Sequence, residues 1–230
     1  MRQKLRAVIG LAALGVAAGG LVACDPLPVK QSFRDSSTFG AKVGSVRLAN
    51  GAGDVTLTGT AAAGSAISVH RTVRYDRGGD KPSGATARVE GGVLVLDGCG
   101  AGTRDCSVDY TVAVPAGTPV NGAVTSGDVR LSGVGAVSLA ATSGDVTLDG
   151  VTGATRVEAT SGDVRVTAAA AHDLRVATTS GDVRVRVPST PYRLAVTTGS
   201  GDRRIAVPNA SASPHHLAVK TTSGDITVQH

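Results

Sequence analysis

Apolar and polar residues alternate over short stretches of this chain, and the same stretch returns many times. In Leu139–Gly150, Leu139, Ala141 and Ser143 fall on one face, and Val146 and Leu148 fall on that same face beyond a Ser143-Gly144-Asp145 bend. Thr142 and Thr147 point the other way. A period of two is the strand period. Each unit therefore reads as two short strands meeting at a Gly-Asp corner. Glycine there supplies a positive-φ backbone that other residues resist, and the aspartate satisfies exposed backbone donors. Ala123–Gly133, Val157–Thr167, Val176–Val187, Leu194–Val207 and Leu217–Val228 follow the same scheme. The corner aspartates are Asp128, Asp145, Asp163, Asp182, Asp202 and Asp225, at steps of 17, 18, 19, 20 and 23 residues. An earlier copy, Ser45–Gly59, keeps only Gly53-Asp54 of the bend.

One unit has too little apolar surface to fold alone, whereas stacked copies bury a continuous column of Val, Leu and Ile. The expected fold is all-β: a β-solenoid, parallel β-helix-like, of short rungs about 4.8 Å apart. The small Ala and Ser before each bend fit a narrow interior, in keeping with an aromatic content of 2%. A meander of β-hairpins is the competing arrangement. It ranks second because equal phasing of every bend is better explained by rungs in register. Residues 60–120 form an excursion with strands of their own: Ile67, Val69, Val73 and Tyr75 alternate with polar residues, as do Val108, Tyr110, Val112 and Val114. Between them Gly91-Gly92 is a two-residue hairpin signal. This N-terminal hairpin excursion is expected to cap one end of the stack. The last copy in sequence is expected to leave the other end open.

The recurring Thr-Ser-Gly-Asp-Val unit, in Thr125–Leu131, Thr142–Leu148, Thr160–Val166 and Thr179–Val185, resembles a bacterial β-strand-repeat family of candidate adhesins, a domain of unknown function. The resemblance spans about Val43 to the end. It implies an exported or membrane-attached β-solenoid and supplies no catalytic residues.

The N-terminus carries a different signal. Arg2, Lys4 and Arg6 precede an apolar run from Ala7 to Ala23, too short for a membrane span. The run ends in Leu21-Val22-Ala23-Cys24, which resembles the lipobox of bacterial lipoproteins. That resemblance implies a signal peptide at 1–23 and a lipid on Cys24, with the protein anchored in the cell membrane and facing the extracytoplasmic side. Residues 24–42, rich in Pro and Ser, read as a flexible tether, and 43–230 as the repeat domain, with the Ser-Gly-Asp copies in 121–230. Removing the leader leaves 20 basic against 18 acidic residues, a net charge of only +2. The basic pI near 9.4 is thus no argument for a nucleic-acid partner. In an oxidising compartment Cys99 and Cys106, flanking a Gly-rich connection, read as a loop-closing disulfide contributing roughly 2–3 kcal/mol. A metal site would need further Cys or His ligands nearby.

Stacked corners would align Asp128, Asp145, Asp163, Asp182, Asp202 and Asp225 as a turn ladder. Calcium is one reading of such a column. A structural turn role is favoured, since only one carboxylate arrives per rung. Two residues on, Arg130, Thr147, Arg165, Arg184, Arg204 and Thr227 form an outward column. Its arginines could meet phosphate or carboxylate of an anionic wall polymer, or be a solvated face that discourages aggregation. The histidines, His70, His172, His215, His216 and His230, show no metal spacing. No Gly-x-Ser-x-Gly elbow occurs, and with no Trp the chain offers few platforms for sugars. No cofactor and no catalytic or metal residue is expected. The function expected is a cell-envelope-anchored, adhesin-like binding or scaffold module. Its partners would be the membrane through the lipid and a wall polymer or envelope protein. The alternative is an accessory or sensory subunit of a membrane-associated envelope complex, docked through the open last rung.

Overall fold

The computed structural model describes residues 30–40, 43–61, 66–76, 81–82, 87–100 and 105–230. Cys24 and the leader lie outside them. Two sheets face each other across one apolar interior. The repeat copies form β2 (Ser45–Ala52) with β3 (Val55–Thr60), β8 (Val120–Ser126) with β9 (Val129–Ser132), and β10 (Val137–Ser143) with β11 (Val146–Val151). They continue as β12 (Thr155–Ser161) with β13 (Val164–Ala168) and β14 (Leu174–Ser180) with β15 (Val183–Arg186). The last two are β16 (Arg193–Ser200) with β17 (Arg203–Ile205) and β18 (His216–Ser223) with β19 (Ile226–Gln229). The two strands of a copy do not pair with each other. Strand β10 pairs in parallel with β8 and β12, while β11 pairs in parallel with β9 and β13. This is a solenoid of rungs and not a hairpin meander.

Register places like on like. Val120, Val137, Thr155, Leu174, Leu217 and Leu194 stack in one sheet, and Val55, Val129, Val146, Val164, Val183 and Ile226 in the other. All but Leu194 are essentially buried. The serines before each bend depart from expectation: Ser126, Ser143, Ser161, Ser180 and Ser223 are exposed together with the threonine before each. The chain is already turning the corner there, so the two-residue alternation lapses.

The structure corrects two further expectations and extends a third. The first concerns the tether, because Lys30–Phe39 is a strand, β1, paired antiparallel with β4 (Ile67–Asp76). Phe33 packs edge-on against Tyr75, with ring centroids 6.2 Å apart, and Arg71 clamps Asp35 through Nε and an Nη at 2.5 and 2.6 Å. The serine-rich segment Lys30–Phe39, with its two aromatics, thus finds enough packing to form a strand.

The second concerns the excursion, which lengthens the stack by one rung as well as ending it. β6 (Val93–Asp97) lies parallel on β2, and β7 (Ser107–Pro115) lies parallel on β3, so the two make an additional rung. Its corner holds Cys99 and Cys106, bonded to each other with Cα atoms 6.1 Å apart. Beyond this rung the sheets end in antiparallel strands: β4 then β1 on one side, β5 (Ala87–Glu90) on the other. β5 and β6 meet at Gly91-Gly92, both at positive φ, as a tight hairpin requires.

The third concerns order along the stack. The rung β18/β19, last in sequence, lies between β14/β15 and β16/β17. The terminal rung is therefore β16/β17. Side chains explain the exchange. At the inward position that holds Val183 or Ile226 in its neighbours, β17 carries Arg203, which cannot be buried on both sides. The copy Leu217–Val228 is apolar or Thr at every inward position and fills the inner place. The free edge of β16 is partly covered: Asn209 Oδ1 accepts the Leu194 N–H at 3.1 Å, and Arg203 donates to the Val196 carbonyl at 3.0 Å, while β17 stays exposed. These caps blunt the edge.

Candidate functional site

The Gly-Asp corners lie directly above one another. The bend glycines, Gly53, Gly127, Gly144, Gly162, Gly181, Gly224 and Gly201, have φ between +107° and +138°. A Cβ on Gly144 would sit 2.2 Å from the Gly127 carbonyl oxygen, and on Gly162 2.2 Å from that of Gly144. Only a residue without a side chain lets the rungs close to strand spacing here.

That close approach builds a continuous carboxylate ladder. Oδ1 of Asp128 accepts the backbone N–H of Asp145 at 3.0 Å, Asp145 that of Asp163 at 2.9 Å, and Asp163 that of Asp182 at 3.0 Å. Asp182 accepts from Asp225 at 2.9 Å and Asp225 from Asp202 at 2.8 Å, following the exchanged rung order. At the other end Asp54 accepts from Asp128, and Asp109 from Asp54. Asp109 belongs to a strand with no Gly-Asp bend, so nothing in its local sequence marks it. It joins the ladder only because β7 stacks on β3.

Carboxylates one rung apart repel by about 1 kcal/mol even at the dielectric of water. Each accepted backbone bond is worth about 1.5–3 kcal/mol, and arginines remove most of the remaining cost. Arg130 pairs with Asp128 at 2.9 Å, Arg165 bridges Asp163 at 2.8 Å and Asp145 at 3.4 Å, and Arg184 bridges Asp182 at 3.1 Å and Asp163 at 3.7 Å. Arg74 pairs with Asp109. The Asp145 N–H above all holds the Asp128 carboxyl below the usual carboxylate range; burial opposes it, and Arg130 adds to the lowering. In Asp109, Asp128, Asp145, Asp163 and Asp182 both oxygens are thus engaged, and among the described residues no group of three or more acids, histidines or cysteines is arranged to hold a metal. In these five carboxylates Oδ1 faces the next rung and Oδ2 faces arginine.

The outward column falls as expected on one face, with Thr227 between Arg184 and Arg204. Its charge, however, is largely spent inside the protein, since Arg130, Arg165 and Arg184 all serve the ladder.

The opposite sheet carries a site that the repeat motif did not announce. Along the first strands of the copies, the outward residues after the corner are Asn121, Ser138, Arg156, Arg175 and Ala218. The residues two positions earlier are Pro119, Ala136, Ala154, Asp173 and His216. Together they line a groove of about 570 Å³ crossing five rungs. Asp173 Oδ1 accepts the His216 N–H at 2.8 Å, and Arg156 pairs with Glu158. Arg175 makes no ion pair among the described residues. Below this corner His172 Nε2 lies 3.3 Å from Thr155 Oγ1. Burial, aided by the neighbouring His215, pushes the His172 imidazole pKa down. His70 bonds Ser36 on β1, and His230 the Ala206 carbonyl, both far from this corner in the chain.

The model of the Toastrack DUF4097 family matches residues 35–229. Similar solved structures include a candidate cell adhesion protein from Clostridium sporogenes, 12% identical, covering 86% of this chain and 99% of that one at a TM-score of 0.50. That likeness bears on the fold alone. Two candidate adhesins, from Bacteroides fragilis and Parabacteroides merdae, are each 11% identical. They cover 88% and 85% of this chain and 99% and 96% of their own, and their TM-scores of 0.30 and 0.32 carry no weight. No curated protein matches the chain.

Proposed function

The chain belongs to the Toastrack DUF4097 family, and from that premise we propose an adhesin-like, non-catalytic binding or scaffold module, held on the extracytoplasmic side of the cell membrane by a lipid on Cys24. The observation that carries the binding reading is the division of charge between two long faces. One face ties Arg130, Arg165 and Arg184 to the Asp ladder, and leaves Arg186 and Arg204, toward its far end, outside any ion pair among the described residues. The other presents an uncommitted cation beside an apolar groove, a combination that contributes nothing to the stack and is available to a partner. Anchoring rests on the lipobox-like Leu21-Val22-Ala23-Cys24 run. Because β1 begins at Lys30, five residues separate Cys24 from the sheet, at most about 21 Å of chain. The module would thus stand close to the membrane, β1 end first.

An accessory subunit docked through the rung last in sequence is disfavoured, since that rung lies inside the stack and the terminal rung is a different copy. Two measurements test the proposal. Replacing Cys24 by Ser should move the protein from the membrane to the soluble fraction and abolish a lipid adduct in its mass spectrum. The lipidated chain should bind whole cells or isolated wall, or retain a partner from solubilised envelope. Membrane retention of the Cys24→Ser variant refutes the anchor, and absence of any retained partner refutes the module.

A further inference from the structure

We infer that the groove on the β8–β10–β12–β14–β18 face is a docking site for an extended peptide segment of a partner protein, small and uncharged at one end and acidic at the other. The inference deepens the binding-module reading and rests on it. Crossing five rungs, the groove is about 19 Å long, the length of about six residues of extended chain. Its floor is made of short side chains, Pro119, Ala136, Ala154 and Ala218, so a backbone can lie close but no deep pocket receives a large side chain. Apart from the His216 imidazole no aromatic ring lines it, which leaves sugars without a stacking platform.

Charge along the groove is uneven, and this selects the occupant. At the β8 and β10 end the walls are Asn121 and Ser138, and the next cation outward, Arg47 on β2, is paired with Glu90. Toward β14 and β18 comes Arg175, then Arg193 beside His216 and, on β18 two residues past Ala218, Lys220. All three cations are exposed and form no ion pair among the described residues. Of the acids nearby, Glu158 serves Arg156 and Asp173 is tied to the His216 N–H. A uniformly charged polymer would lay half its charges over an apolar floor without partners, which costs desolvation with no return. A chain whose charge is confined to one end matches the asymmetry, and a carboxylate can take a bidentate bond from Arg175.

The test uses fluorescence anisotropy with the full-length chain and an eight-residue probe of four alanines followed by four aspartates. It should bind at least tenfold tighter than the probe with asparagines in place of aspartates, and tighter than eight aspartates. Arg175→Gln should weaken it five- to tenfold, while Arg130→Gln, on the opposite face, leaves it unchanged. Because Arg175 has no internal partner, its variant should melt like the parent, which separates lost binding from lost folding. Equal binding of the aspartate and asparagine probes, equal effects of the two arginine variants, or groove-dependent binding of a phosphodiester wall polymer instead of the peptide overturns the assignment. If the chain binds cells but not the peptide, the groove assignment fails and the module reading stands. If neither is bound, both fail.

Discussion

Two glycines of one copy offer a direct measure of how closely the corners are packed. Gly144 sits at φ +111° with the position of a Cβ only 2.2 Å from the Gly127 carbonyl oxygen, whereas Gly150 sits at φ +63° with its nearest neighbour atom 3.9 Å away. In Gly150→Ala the new methyl makes only an ordinary van der Waals contact, and the cost is the left-handed backbone alone, about 1 kcal/mol. In Gly144→Ala the φ lies beyond the left-handed well open to alanine, which costs about 1–3 kcal/mol by itself. The methyl must also push two rungs apart. That stretches the Gly127 N–H bond to the Ser143 carbonyl at 3.2 Å and the Asp145 N–H bond to Asp128 at 3.0 Å, adding about 1–3 kcal/mol for each if lost. The expected total is at least about 3–4 kcal/mol. Urea denaturation followed by circular dichroism reads both variants. Gly150→Ala should lower the midpoint modestly, and Gly144→Ala should lower it about three times as far or split the transition, since a broken interface in a repeat stack uncouples its two sides. Equal midpoints for the two variants would mean that the corners are not in contact, and the ladder argument would fall with them.

Asp163→Ala should destabilise the chain by about 1–2 kcal/mol, and Asp163→Asn by less, because an amide oxygen still accepts the Asp182 N–H while a like-charge contact disappears; thermal melts of both variants check the order. His172 has its pKa lowered by burial, so the unfolded chain takes up a proton first as pH falls. Its contribution is fully present above about pH 6.5 and is lost as pH drops through the lower folded value. Denaturation midpoints between pH 7.5 and 5.5 should fall, and His172→Gln should flatten that slope; an unchanged slope contradicts the assignment. Replacing Arg203 by Val removes both the inward charge and the cap on Val196, so the terminal rung should gain a sticky apolar edge. Concentration-dependent self-association in sedimentation velocity is expected for Arg203→Val and not for the parent.

Much of this architecture was legible in the residues. Period-two alternation and the equal phasing of Asp128, Asp145, Asp163 and Asp182 imply stacked corners, and the structure places them in an unbroken ladder. Gly91-Gly92 marked a hairpin that is present. The Arg203-Arg204 pair after Asp202, where other copies have an apolar residue first, was a visible sign that this copy could not be internal, although no periodicity count weighs it. By contrast, Asp109 and the Arg175 groove have no local signature. Each depends on which strand lies next to which.

What the sequence determined by itself is the rung: two strands, a glycine corner, an inward face of Val, Leu and Ile. These follow from backbone sterics and side-chain alternation within about a dozen residues. Only the tertiary structure decided the order of the rungs, the strand made by Lys30–Phe39, and the partners of the arginines. Stacking energy depends on the summed burial and charge of neighbours brought together from distant parts of the chain. A copy that tolerates solvent is driven to the end, and one apolar throughout is drawn inside, whatever their order of synthesis.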